Sequence, residues 1–186
     1  MTKQQTVANT SRRAFLKTST AATGGLIMGV SLPLLGAGGA QAAGTVHTPN
    51  AWVHIADDNR ITLMVARSEM GQGVYTSLPM LICEELEADW SQVRVESAPA
   101  AIVYAHPGFG IQMTGGSTSV ASSWEQMRRI GASARVMLVE TAAARWNVPA
   151  GECRAENGHV LHGDRRLSYG ELAEAAGKRT PPTAVT

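Results

Sequence analysis

Apolar and polar positions change their period several times along this chain, and each change marks an element. Ala51 to Ile55 and Ile61 to Ala66 are short runs rich in β-formers, separated by the polar triplet Asp57-Asp58-Asn59, a pattern that predicts a hairpin. From Thr76 the spacing turns helical. Leu78, Leu81, Ile82 and Leu86 fall on one stripe, Glu84, Glu85 and Glu87 fall toward water, and Thr76 or Ser77 is the expected cap with Pro79 in the first turn. Val93-Arg94-Val95-Glu96 alternates strictly and predicts a strand. The first half therefore reads β-β-α-β.

Residues 98–117 carry Pro99, Pro107, Gly108, Gly110, Gly115 and Gly116 and predict a long connection, of a length that is usually functional or disordered. A long helix follows, from about Val120 to Trp146, with Trp124, Met127, Ile130, Ala134, Met137, Leu138 and Ala142 at helical spacing. Glu152–Ala155 and His159–Leu161 flank Glu156-Asn157-Gly158, whose Asn-Gly pair signals a tight hairpin. Ser168-Tyr169-Gly170-Glu171 matches a capping box and starts a short helix through Ala176. The order of elements predicts an α+β fold: a small mixed sheet packed with two main helices.

Composition narrows the function. The 186 residues are 44% hydrophobic and 17% charged, which suits a globular chain. The net charge of +1 hides an asymmetry: residues 1–42 hold Lys3, Arg12, Arg13 and Lys17 with no acid, so the remainder is net acidic. A body without a basic footprint argues against nucleic acid as a partner. Cys83 and Cys153 stand alone, without a CxxC or Cys/His cluster, which argues against zinc or iron–sulfur ligation by this chain. Cys83 lies in an apolar helical pattern and reads as a buried thiol; the spacing leaves a Cys83–Cys153 disulfide open. His47, His54, His106, His159 and His162 show no metal-ligand spacing and read as exposed or satisfied side chains, so no metal ligand is expected. The methionines, Met64, Met70, Met80, Met113, Met127 and Met137 among them, read mostly as core or gap-filling residues.

The asymmetry has its own reading. Ser11-Arg12-Arg13-Ala14-Phe15-Leu16-Lys17 precedes an uncharged stretch to Ala42, which ends in Ala40-Gln41-Ala42. Paired arginines, a moderately apolar middle and a small-residue exit predict a twin-arginine signal over residues 1–42 and a periplasmic destination, with or without membrane attachment. Seven glycines and prolines dilute the stretch below what a membrane span wants. The twin-arginine route carries folded proteins, often with a cofactor already inserted, so a redox cofactor is favoured.

Two glycine-rich turns could hold one. Gly71-Gln72-Gly73 follows a strand and permits close backbone approach, with Gln72 able to offer its amide to a flat heterocycle. Thr114-Gly115-Gly116-Ser117-Thr118-Ser119 opens the long helix, where free N–H groups and a partial positive charge suit phosphate. Each has a plain alternative: a simple turn for the first, a Ser117 or Ser119 helix cap for the second. Together they suit a pterin with a phosphate or nucleotide tail. Neither the dinucleotide-binding glycine fingerprint nor a Walker lysine is present.

Glu69-Met70-Gly71-Gln72-Gly73-Val74-Tyr75-Thr76, Glu84-Glu85-Leu86, Val93-Arg94-Val95 and Thr114–Ser119, in that order, resemble the molybdopterin-binding large subunit of the xanthine dehydrogenase/aldehyde oxidase family. The likeness runs over about residues 45–180 and is strongest to the exported, isoquinoline 1-oxidoreductase-like branch. The resemblance implies that Gly71, Gln72 and Gly73 contact the pterin, and that Gly116, Ser117, Thr118 and Ser119 bind its phosphate-bearing part. It further implies a molybdenum–molybdopterin cofactor in its cytosine dinucleotide form and a small [2Fe–2S] partner subunit. It also implies a small-molecule substrate, an N-heterocycle or aldehyde oxidised with water-derived oxygen, and in some members a cytochrome c acceptor. The family's catalytic glutamate has no counterpart here, and Glu69, Glu84 and Glu85 do not replace it, so no catalytic residue is assigned. Residues 43–178 are thus expected to form a partial molybdopterin-binding domain. Residues 179–186 are expected to be a linker toward a C-terminal part the chain lacks. The competing expectation is an exported binding module without catalysis.

Overall fold

The computed structural model describes residues 25–28, 52–182 and 184–185. Seven strands and three α-helices are described: β1 (Gly25–Met28), β2 (Val53–Ala56), β3 (Ile61–Val65), α1 (Val74–Leu86), β4 (Val93–Ser97), α2 (Ser119–Trp146), β5 (Arg154–Glu156), β6 (His159–His162), β7 (Arg165–Ser168) and α3 (Tyr169–Gly177). The first sheet has the order β1-β2-β3-β4 and is mixed: β1, β2 and β3 run antiparallel, while β3 and β4 run parallel. A second, antiparallel sheet has the order β5-β6-β7. The α+β class is as expected. The strand β1 falls within the segment read as a leader; the remainder of that segment lies outside the described residues.

Strand alternation builds the core. Ile61, Leu63 and Val65 of β3 are buried on the face that meets the helices, while Thr62 and Met64 are only half-buried. Ile82 and Leu86 of α1 and Met127, Ile130, Met137 and Leu138 of α2 close over that face in one cluster. The two helices come together at Gly131: a Cβ there would lie 2.3 Å from the Ile82 carbonyl oxygen, so only glycine permits this spacing. Glu85 fastens the same contact by accepting from Arg128 Nε at 2.7 Å, with Arg135 3.9 Å away. Glu85 is therefore an interhelical anchor, whereas Glu84 and Glu87 are exposed as their helical phase predicts.

The capping box of α3 is present in both directions, with Ser168 Oγ accepting from the Glu171 N–H and Glu171 accepting from the Ser168 N–H. Buried Tyr169 sends its hydroxyl to the Leu86 carbonyl at 2.6 Å, and the Gly170 N–H donates to Asn59 Oδ1 at 2.8 Å, so α3 locks both α1 and the β2–β3 turn. Asn157 and Gly158 both have positive φ, 49° and 75°, as the Asn-Gly hairpin requires.

Other expectations are corrected. The first helix begins at Val74, with Gly73 at the cap position and no side-chain cap from Thr76 or Ser77. β7 was not expected, because Arg165-Arg166-Leu167-Ser168 is half charged and two of its four residues are exposed. Trp124 is 48% exposed, with Arg128 stacked 5.5 Å from its ring, so it lies outside the core stripe. Met70 and Met80 are likewise exposed, unlike buried Met127 and Met137. Cys83 and Cys153 are free thiols, with Cys83 buried.

Candidate cofactor-binding site

The parallel pairing of β3 and β4 decides where the two glycine turns go. Val65 is aligned with Ser97, and the Ala98 N–H extends the ladder to the Val65 carbonyl at 2.9 Å. Both strands therefore finish at the same edge. The 68–73 loop leaves β3 there to enter α1, and the 98–118 connection leaves β4 there to enter α2. Ligands of sheets with parallel strands gather at such carboxyl ends, where helix N-termini converge. A direct bond joins the two segments: the Ser68 N–H donates to Thr114 Oγ1 at 2.7 Å.

The first turn is organised by Glu69. Its Oε1 accepts from the Gly71 and Gly73 N–H groups at 2.8 and 3.0 Å, and its Oε2 accepts from the Tyr75 N–H at 2.9 Å. These bonds, the one from Tyr75 foremost and then that from Gly73, hold the Glu69 carboxyl below its ordinary range. The carboxylate thus caps α1 from five residues upstream of its first residue. Gly71 and Gly73 take positive φ of 96° and 83°, which side-chain-bearing residues resist. Nothing lies within 4 Å of where their Cβ atoms would be, so the backbone of this turn is open to an approaching flat group. Gln72 closes its own loop, Nε2 donating to the Ser68 carbonyl at 2.7 Å and Oε1 accepting from the Met70 N–H at 2.6 Å. One N–H and one lone pair of that amide remain for a ligand.

The second turn is left electrostatically open. Thr118 occupies the cap position of α2 with no side-chain cap bond, because its hydroxyl is turned back to the Gly115 carbonyl at 3.0 Å. Gly116 and Ser117 both have positive φ, 65° and 54°, and both are exposed. The plain alternative, a side-chain cap from Ser117 or Ser119, is therefore not met. One turn further in, the Ser122 hydroxyl is buried without a hydrogen-bond partner. The two helix heads divide their work: α1 has its own carboxylate and rejects a second anion, while α2 keeps free N–H groups and its partial positive charge. An uncapped helix head with an orphaned hydroxyl beside an open glycine turn fits a phosphorylated, flat cofactor.

A histidine whose sequence context suggests only an exposed or satisfied side chain organises this second turn. His106, 5% exposed, accepts from the Gly108 N–H at Nδ1, 3.0 Å away, which places its own proton on Nε2. Nε2 then donates to Thr118 Oγ1 at 2.9 Å, consistent with the Thr118 hydroxyl donating to Gly115. Phe109 covers the ring at a centroid distance of 4.6 Å. Tyr104, packed edge-on against Trp52 at 4.8 Å, anchors the same connection to the core. Only folding brings these residues together, so no local motif announces them.

Elsewhere, a groove of about 500 Å³ runs beside α1, floored by Met80, Cys83 and Trp90 and rimmed by Glu84, Glu87 and Glu156. Three carboxylates and no cation make it a poor seat for a phosphorylated ligand. Among the described residues, no group of three His, Cys, Asp or Glu side chains stands ready to hold a metal ion, and no helix is long and apolar enough to cross a membrane.

Known proteins match this chain. A family model described as a molybdopterin cofactor-binding domain matches residues 7–186. The isoquinoline 1-oxidoreductase subunit beta of Brevundimonas diminuta is 39% identical over 168 residues, covering 87% of this chain and 21% of the relative. The membrane-bound aldehyde dehydrogenase [pyrroloquinoline-quinone] of Gluconacetobacter polyoxogenes is 34% identical over 170 residues, covering 89% and 21% respectively. The chain thus spans about a fifth of the length of these relatives. The fold is shared with the reconstituted CO dehydrogenase from Oligotropha carboxidovorans, at a TM-score of 0.52 and 18% identity, over 66% of this chain and 15% of that one. It is also shared with quinoline 2-oxidoreductase from Pseudomonas putida 86, at a TM-score of 0.50 and 15% identity over the same shares. On the extent of the sequence matches, the chain belongs to the molybdopterin cofactor-binding domain family.

Proposed function

We propose that this chain supplies the cofactor-gripping edge of a molybdenum hydroxylase-type subunit. The observation that carries the reading is the unequal treatment of two helix heads at one sheet edge. Glu69 closes the head of α1, while the head of α2 is open and preceded by Gly116 and Ser117 at positive φ. In this reading the Gly71-Gln72-Gly73 backbone lies against the pterin, with the remaining Gln72 amide valences fixing its edge. The N–H groups of Gly116, Ser117, Thr118 and Ser119 take the phosphate-bearing part, in the cytosine dinucleotide form. The Ser117 and Ser119 hydroxyls are further donors, whereas the Thr118 hydroxyl holds the turn in shape. The bound group would supply the oxidation of an N-heterocycle or aldehyde with oxygen from water. The residues described here bind and orient it and carry no step of the chemistry.

The same reading assigns residues 1–42 to a twin-arginine leader and the working protein to the periplasm. The small [2Fe–2S] subunit is its electron-accepting partner, with a cytochrome c beyond it in the electron path. Support for the destination is the Arg12-Arg13 pair ahead of an uncharged stretch. Gly73→Val and Gly116→Val in the intact subunit test the site: both are expected to lose molybdenum and pterin while the protein stays folded. Normal cofactor content in both folded variants would refute the assignment and favour a binding module without catalysis. An Arg12→Lys, Arg13→Lys double variant tests the route and is expected to remain in the cytoplasm.

A further inference from the structure

Arg67 is a buried cation with no counter-charge among the described residues. It is 4% exposed, yet its single hydrogen bond among the described residues is from Nη1 to the neighbouring Ala66 carbonyl at 3.2 Å, and its Nε is buried without a partner there. None of the ion pairs among the described residues includes it. A guanidinium carries five donors, stays ionised in proteins, and is costly to bury unless an anion meets it. Glu69, two residues on, is the nearest acid in sequence, and its oxygens are committed to backbone N–H groups.

Its position gives the orphan charge a meaning. Arg67 continues the buried row Ile61, Leu63, Val65 past the end of β3. It immediately precedes Ser68, whose N–H is bonded to Thr114 at the entrance of the second turn. Arg67 therefore lies one residue from the bond that joins the loop after β3 to the connection entering α2, whose head is uncapped.

We propose that Arg67 is the charged anchor of an oxyanion site at the Ser68–Thr114 seam, taking a phosphoryl or carboxylate group whose negative charge completes the fold there. This rests on the cofactor reading above and deepens it, since a phosphoryl group on the cofactor and a carboxylate from another polypeptide segment are the two sources of such a group.

Thermal melts of the full chain at constant ionic strength test the proposal, with inorganic phosphate and acetate as separate probes. The wild type is expected to gain about 5 °C in Tm with saturating phosphate, or with acetate if the site takes a carboxylate. Arg67→Met is expected to melt above the wild type in anion-free buffer, because an unpaired buried charge is gone, and to lose the anion response. Retention of the full anion response in Arg67→Met, or absence of any response in the wild type, overturns the proposal. If Arg67→Met does not fold, Arg67→Lys decides: a response reduced by about half supports the site, since one ammonium replaces a fork of donors, and an unchanged response overturns it. Gly116→Val separates the two readings. Loss of the response there with retention in Arg67→Met sinks the Arg67 site and leaves the turn assignment standing. Loss in Arg67→Met alone does the reverse.

Discussion

Glu69 reaches forward across its own loop to accept the Tyr75 N–H at 2.9 Å, the longest-range of the three bonds with which it closes the head of α1. The pH consequence has a definite sign. The folded-state carboxyl is held below its unfolded range by these backbone donors. Its stabilising contribution is therefore complete above the ordinary carboxylate range and is lost as pH falls through the lower, folded value. Amide resonances of Gly71, Gly73 and Tyr75 in an acid titration should inflect together, below the ordinary glutamate value of about 4.3. Inflection at or above that value would show that the carboxylate does not hold the turn.

Gly131 should tolerate no side chain. In Gly131→Ala the added Cβ meets the Ile82 carbonyl at 2.3 Å, a backbone atom that cannot swing aside. Forcing α1 and α2 apart should cost about 3 kcal/mol in urea unfolding. Gly151→Ala is the control, because nothing lies within 4 Å of its Cβ position and it should change stability by less than about 0.5 kcal/mol.

The His106–Thr118 bond predicts both a tautomer and a cost. Imidazole nitrogen shifts should report a neutral ring with its proton on Nε2, as the Gly108 donation to Nδ1 requires. Thr118→Val removes the acceptor and leaves that buried N–H unpaired, which should destabilise the chain by about 1–3 kcal/mol. A protonated Nδ1 in the spectrum would break the chain of donors leading to Gly115.

The two thiols should differ sharply in reactivity. Burial pushes the Cys83 thiol up to about 12. Cys153 is only half-buried, and although desolvation also raises it, the neighbouring Arg165 opposes that shift. Alkylation of the native chain near neutral pH should therefore modify Cys153 well before Cys83. Equal rates would mean that the α1 face opens readily.

The parts legible in the sequence were those written in neighbouring residues. Runs of β-formers around a polar turn marked β2 and β3, strict alternation marked β4, the Asn157-Gly158 pair marked its hairpin, and Ser168 with Glu171 marked the start of α3. The two glycine turns were visible as motifs for the same reason. Features that depend on distant segments were hidden. The cap of α1 lies in Glu69, outside the three-residue reach of a capping box. Glu85 looked solvated until α2 brought Arg128 and Arg135 to it. Arg67 carried no signal in the sequence and His106 read as exposed or satisfied; only burial reveals that one lacks a counter-charge among the described residues while the other shapes a turn.

The central claim is that one ligand touches both turns at the shared edge of β3 and β4. Hydrogen exchange on the intact subunit, with and without its cofactor, measures this directly. The account predicts slowed exchange on loading at the Gly71–Tyr75 amides and at the Gly116–Ala121 amides together. Protection confined to other segments, with both turns unchanged, would contradict it.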